Sequence, residues 1–253
     1  MGSRAILFMI GQPRRVGAKI AFAKAVRDDW KQVLKRFVPE PVVAATRPVR
    51  FYFRPQRRFD RRFNVHTDGM IEPEEFDVEG SNVAHASGYE PTPAPPFLRI
   101  LRSIPLEYER YTFVDLGSGK GAVLLYATEF PFKRIIGIEF SPLLHRIAER
   151  NLANYRSRTN GTMKCRDCRS LCMDVTTWPI PPEPTLFYLF NPFKGKVLDT
   201  VVARLGRSLQ DHPRDVVVIS YHPLSRHAAW DHADFLRQVR RDQDHTIYRS
   251  PSE

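Results

Sequence analysis

Short apolar runs alternate with stretches of helical spacing between residues 111 and 221. The runs at 111–116, 134–139, 170–173, 185–190 and 215–221 read as strands. The stretches at 121–129, 142–156 and 195–209 read as helices. Ser141 is a natural N-cap with Pro142 at the first helical position. Leu143, Leu144, Ile147, Ala148 and Leu152 form the buried face of the helix that follows. Strands and helices in this order predict an α/β fold with a doubly wound parallel sheet. Beyond Tyr221 the rhythm changes, and 236–241 and 246–249 predict two antiparallel strands.

Upstream the pattern is different. Ile20, Ala23, Val26, Trp30 and Phe37 recur at helical spacing, which predicts an amphipathic helix over 17–37. Its apolar stripe is suited to packing on a folded domain or to lying on an anionic membrane surface. Residues 64–95 are rich in Gly, Pro, Asp and Glu and read as an ordered cap over a site. A helix is expected at about 96–104.

Charge sharpens this division. The 253-residue chain carries a net charge of +11. Residues 1–63 hold 16 Lys/Arg against 4 Asp/Glu, and the remainder holds 23 against 24. The basicity therefore belongs to an N-terminal extension, 1–63, and the domain 64–253 is nearly neutral. Seven arginines lie among Phe51, Tyr52, Phe53, Phe59 and Phe63 in 47–63. That mixture suits nucleic-acid binding, or a solvated connector anchored by its aromatic rings. No apolar run approaches eighteen residues, so no membrane-spanning helix is expected. Three cysteines make no disulfide framework, and a reducing, cytoplasmic setting follows. Cys165, Cys168 and Cys172 lack a nearby histidine to complete a zinc site, so no metal is expected.

The chemistry is concentrated at Val114-Asp115-Leu116-Gly117-Ser118-Gly119-Lys120-Gly121, with Glu139 at the end of the next strand. A strand, a glycine turn and a helix start direct backbone N–H groups at one spot beside the sheet. The spacing does not fit a G-x-x-x-x-G-K-[ST] phosphate loop, which needs Gly at Val114 and Ser or Thr at Gly121. Asp115 at the mouth of the turn repels a pyrophosphate and attracts a cationic ligand.

An acid, G-x-G-x-G, then an acid ending the next strand resembles the S-adenosylmethionine site of class I methyltransferases. The resemblance extends over roughly 88–250. It implies a Rossmann-like sheet, mostly parallel with an antiparallel C-terminal pair, following an N-terminal helical or irregular extension. It implies S-adenosyl-L-methionine as cofactor. Asp115 would face the amino-acid end and Gly117, Ser118, Gly119 and Gly121 would form the floor. Glu139 would accept both ribose hydroxyls, Phe140 would lie on the adenine, and Asp174 would accept its amino group. Tyr89 and Thr92 would close the methionine end.

Asn191-Pro192-Phe193, ending the fourth strand, resembles the [DN]-P-P-[YF] signature of amino-directed methyltransferases with one proline missing. The resemblance makes Asn191, Pro192 and Phe193 the candidate catalytic residues, which orient an acceptor nitrogen. Together with Tyr89-Glu90-Pro91-Thr92, the chain is similar to lysine-directed class I enzymes. The leading acceptor is therefore a protein lysine side chain. A nucleic acid held by the basic extension and a small molecule are the alternatives, as is a binding module without catalysis. His222, after the fifth strand, is a candidate base or substrate contact, or a structural hydrogen-bonding group.

Overall fold

The computed structural model describes residues 56–78, 81–159, 161–221 and 228–251. All of them belong to one unit, Tyr52–Glu253. The predicted helix at 17–37, the arginines before residue 56 and His222 lie outside the described residues.

Seven strands form one sheet. They are β1 (Thr112–Leu116), β2 (Arg134–Glu139), β3 (Cys168–Cys172), β4 (Thr185–Phe190), β5 (Val216–Tyr221), β6 (Arg237–Arg241) and β7 (His245–Arg249). Their order is β3-β2-β1-β4-β5-β7-β6. The first five strands run parallel, and β7 is antiparallel to both β5 and β6. This is the doubly wound sheet with an antiparallel C-terminal pair that the sequence predicts.

Helices α1 (Ala94–Arg102), α2 (Ala122–Ala127), α3 (Pro142–Arg158), α4 (Lys196–Asp211) and α5 (Ala228–Asp231) accompany it. The central strands β1, β2, β4 and β5 are largely apolar on both faces because both faces are covered, whereas β6 at the sheet edge is exposed. Phe113, Ile135, Leu186 and Tyr188 pack with α1, α2 and the end of α3. Their neighbours Val114, Ile136, Phe187 and Leu189 point the other way, toward α4 and Trp230. Successive side chains on a strand alternate faces, so these two cores are one residue out of step.

Several boundaries move. The helix expected at 96–104 occupies Ala94–Arg102, because Pro93 serves as N-cap and proline is tolerated in the first turn. Ser103 then closes the helix as a turn. The third strand begins at Cys168 rather than 170, which turns the Cys168 thiol into the core. The second helix is shorter than 121–129, since Gly121 is its left-handed cap and Thr128 ends it.

Residues 56–63 are helical. Phe59 and Phe63 pack their rings on Tyr126 and Tyr155, with centroids 4.6–5.9 Å apart. Arg57, Arg58, Arg61 and Arg62 face solvent. In this stretch the aromatics anchor to the domain and the arginines remain outside.

One glycine inside a strand shows how tightly the sheet meets the functional turn. A Cβ on Gly137 of β2 would lie 2.6 Å from Ser118 Oγ and 2.7 Å from Leu124 Cδ1. We expect Gly137→Ala to cost about 2 kcal/mol through overpacking, read as a lowered denaturation midpoint. An unchanged midpoint would show that the turn yields freely.

Candidate functional site

From β1 the chain moves outward to β2 and β3, then returns to place β4 on the other side of β1. The sheet order therefore reverses between β1 and β4. The loops after these two strands part in opposite directions and leave a crevice at their carboxyl ends. A cavity of about 840 Å³ opens there.

The glycine turn forms one wall. Gly117 N and Ser118 N both donate to Ile138 O, at 2.9 and 3.0 Å. Gly117 and Gly119 have φ of 79° and 54°, in the left-handed region that favours glycine. The space beside each is also taken. A Cβ on Gly117 would meet Pro192 Cβ at 2.2 Å, and one on Gly119 would meet the Tyr89 ring at 2.3 Å.

Glu139 binds this turn from β2. Its Oε2 accepts from Gly119 N at 2.7 Å and its Oε1 accepts from Ser141 N at 2.9 Å. Burial pushes its carboxyl up to about 7, against the opposing effect of the backbone N–H donors of Ser141, Gly119 and Phe140. Asp115 is also buried, and its carboxyl has no hydrogen-bond partner among the described residues. Burial first, and then the charge of Glu139, hold it well above the usual carboxylate range.

Asp174 stands on the far side. Burial raises its carboxyl, but hydrogen bonds prevail and hold it below the usual range. Thr176 donates from N and Oγ1, both at 2.7 Å, and Asn82 Nδ2 donates at 2.6 Å. Its backbone carbonyl also accepts from Thr177 N and Trp178 N. Asp174 is thus both a turn-capping residue and a wall of the cavity.

Tyr89, Thr92, Asp115, Gly117, Ser118, Gly119, Glu139, Phe140 and Asp174 all line this one cavity. Gly121 does not. It caps α2 with φ of 80°, and a Cβ there would press on Ala148 of α3 at 3.2 Å. Its glycine serves the helix start and helix packing rather than the ligand floor. Pro192 and Phe193 line the cavity, but Asn191 does not. Asn191 has φ of 44° and lines a neighbouring cavity of about 570 Å³. The turn at the end of β4 swings its side chain out of the larger space. Pro192 O already accepts from Ser87 N at 2.9 Å, and Ala86 forms a β-bridge with Phe193.

The site also depends on a residue that sequence reasoning passed over. Lys120, within the glycine turn, is 2% exposed. Its Nζ donates to Asp68 O at 2.7 Å and lies 4.9 Å from the centre of the Tyr89 ring. Burial lowers its pKa, opposed by the charges of Asp68, Asp60 and Glu75. Tyr89 OH in turn donates to Thr67 O at 2.7 Å. Asn151 of α3 receives His66 N and donates to Lys120 O. Residues 66–69 and Tyr89 are therefore strapped to the turn they cover. A lysine between two glycines was the available signal, since an ordinary surface turn gives it no buried partner.

The lining suits a cationic ligand with a diol and a flat ring. Ser118 Oγ is buried without a partner among the described residues and lies against the cavity. Asp115 is a buried carboxyl that makes no hydrogen bond with a described residue. Glu139 retains acceptor capacity beyond its backbone donors, since a carboxylate has about four lone-pair sites. Phe76 and Phe140, edge to face at 5.8 Å, offer an aromatic surface.

No protein-family model and no curated protein sequence matches the chain. Solved structures do resemble it. One is an RNA methyltransferase from Salinibacter ruber in complex with S-adenosyl-L-homocysteine, 21% identical with a TM-score of 0.41 over 64% of this chain and 92% of that one. A predicted N6-adenine-specific DNA methylase from Listeria monocytogenes is 12% identical, with a TM-score of 0.47 over 72% of this chain and 55% of that one. A ribosomal protein L11 methylase from Lactobacillus delbrueckii subsp. bulgaricus is 14% identical, with a TM-score of 0.40 over 63% and 77%. At these identities and TM-scores the functional reading rests on the residues of the site themselves.

Removing the strap should loosen the cap and not the sheet. A hydrogen bond from a charged donor contributes about 1.5–3 kcal/mol. Lys120→Ala is therefore expected to speed amide exchange at 68–72 and 87–89 by at least about tenfold, with β1 and β2 unchanged. Equal protection in both proteins would remove the strap.

Proposed function

We propose that this protein is an S-adenosylmethionine-dependent methyltransferase that methylates a nitrogen, with a protein lysine side chain as acceptor. The observation that carries it is the convergence of Asp115, the Gly117–Gly119 turn, Glu139 and Asp174 on one cavity at the point where the sheet reverses.

The residues present fit the cofactor. Asp115 and Ser118 would take its amino-acid end and Gly117 and Gly119 its floor. Glu139 would take the ribose hydroxyls. Phe140, Phe76 and Asp174 would hold the adenine, and Tyr89 and Thr92 would close the methionine end. When bound, the cofactor supplies an electrophilic methyl group on a sulfonium. The rest is positioning by this chain. Tyr89 and the cap keep water away, and Asn191, Pro192 and Phe193 orient the acceptor nitrogen at the end of β4.

A second reading is favoured by one observation, the solvent-facing Arg57, Arg58, Arg61 and Arg62. These belong to the basic extension and suit a nucleic-acid acceptor. Transfer of a labelled methyl group into a fractionated lysate separates the two. Label in protein, released as methyl-lysine on hydrolysis, is expected, and label in RNA or DNA would overturn the lysine acceptor.

Cofactor affinity should depend on pH with a definite sign. The Glu139 carboxyl sits at about 7 in the free protein. A cationic ligand that needs it ionised competes with its proton below that value. Calorimetric affinity for S-adenosylmethionine should therefore rise from pH 6 to pH 8 by about tenfold for one linked proton. Glu139→Gln should lose at least about tenfold in affinity and flatten that dependence. Tight, pH-independent binding to Glu139→Gln would remove this assignment.

A further inference from the structure

The 570 Å³ cavity beside the cofactor site enters that reading only through Asn191. It is lined by Met70, Ile71, Glu72 and Asn191, and it shares Ser87, Gly88, Tyr89, Glu90 and Phe190 with the larger cavity. Its floor is rigid. Ile71 and Tyr89 exchange both backbone hydrogen bonds, at 3.1 and 2.7 Å. Gly88 keeps the wall low, because a Cβ there would meet Ile71 O at 3.0 Å and Glu72 Oε2 at 3.3 Å.

The charges around both cavities have one sign. Neither is lined by a lysine or arginine among the described residues, whereas Glu72, Glu90, Asp115, Glu139 and Asp174 are all present. Lys120 Nζ, in the glycine turn beside them, is turned to the carbonyls of Asp68 and Gly69. From 64 to 90 the chain has no lysine or arginine. Glu90 stands at the junction of the two cavities and makes no hydrogen bond or ion pair with a described residue. Burial raises its carboxyl above the usual range. An anionic acceptor would find no lysine or arginine to pair with along this route among the described residues, and a phosphate backbone still less.

Building on the methyltransferase reading, we infer that the smaller cavity is the acceptor channel and that it admits an unbranched primary alkylammonium. Glu72 and Glu90 pair with its charge, and Met70, Ile71 and Phe190 receive its methylene chain. Glu90 also takes the proton that the ammonium sheds to expose a lone pair. One N–H bond breaks, one O–H bond forms on the carboxylate, and the partly exposed acid returns the proton to solvent. A nucleobase acceptor has no use for either carboxylate as a counter-charge.

Met70 lines only the smaller cavity and Met173 only the larger, so two methyl groups report on the two sites separately. The full chain, labelled at its methionine methyls and assigned with Met70→Leu and Met173→Leu, is titrated with n-butylamine and with n-butanol. Saturable shifts of the Met70 signal are expected with n-butylammonium, at least tenfold tighter than with the alcohol. Glu90→Gln should weaken the amine at least fivefold. If Glu90→Gln does not fold, Glu72→Gln is read in the same way. Equal binding of amine and alcohol, unchanged amine binding in a folded carboxylate variant, or preferential Met70 shifts with adenosine would each overturn the channel. S-Adenosylhomocysteine should shift Met173 whether or not the amine binds. Failure of that arm alone would remove the methyltransferase reading and leave the amine site standing.

Discussion

The clamp that Glu139 places on the glycine turn is the interaction on which the rest of this site depends. A buried carboxylate at a strand end is costly unless donors surround it. Here the donors are backbone N–H groups of Gly119 on one side and Ser141 on the other. One side chain therefore ties together the end of β2, the turn after β1 and the start of α3. The compensation is incomplete, as the raised carboxyl shows. With Asp115 buried alongside, the free site holds more acid than its surroundings satisfy. That imbalance is suited to a cationic ligand.

Around this clamp the cap and the turn hold each other. Gly119 has no side chain where the Tyr89 ring lies, and Lys120 reaches past that ring to the carbonyls of the cap. Asp60 extends the chain of contacts, accepting from Thr67 N and Asp68 N at 2.8 and 2.9 Å. The helical stretch at 56–63 thus supports the cap through its polar face and the core through Phe59 and Phe63. A segment that is polar and glycine-rich can be well ordered in this way, because its backbone groups find partners in the element it covers.

Some residues of the site were legible in the chain and others were reassigned by packing. The glycines, Asp115 and Glu139 sit beside strands whose apolar runs are unmistakable, so their place at the strand ends follows from local pattern. Asp174 was legible in the same way. Gly121 shares the spacing of Gly117 and Gly119, yet the packing of α2 on α3 assigns it a different task. Asn191 reads as part of one motif with Pro192 and Phe193. A positive φ turns it into the neighbouring space, and Ser87 occupies the Pro192 carbonyl. No periodicity encodes that, since it depends on where the cap lands.

What the sequence determined by itself is the order of strands and helices, the glycine turn and the acids that face it. These are local matters, set by side-chain period and by backbone freedom at glycine. The tertiary structure alone decided that Lys120 is buried, which groups of the cap meet the turn, and that two cavities meet at Glu90. Each requires segments 30 or more residues apart to come together, as Asp68 and Lys120 do. Such meetings are governed by packing and by the pairing of buried polar groups, which leave no period in the chain.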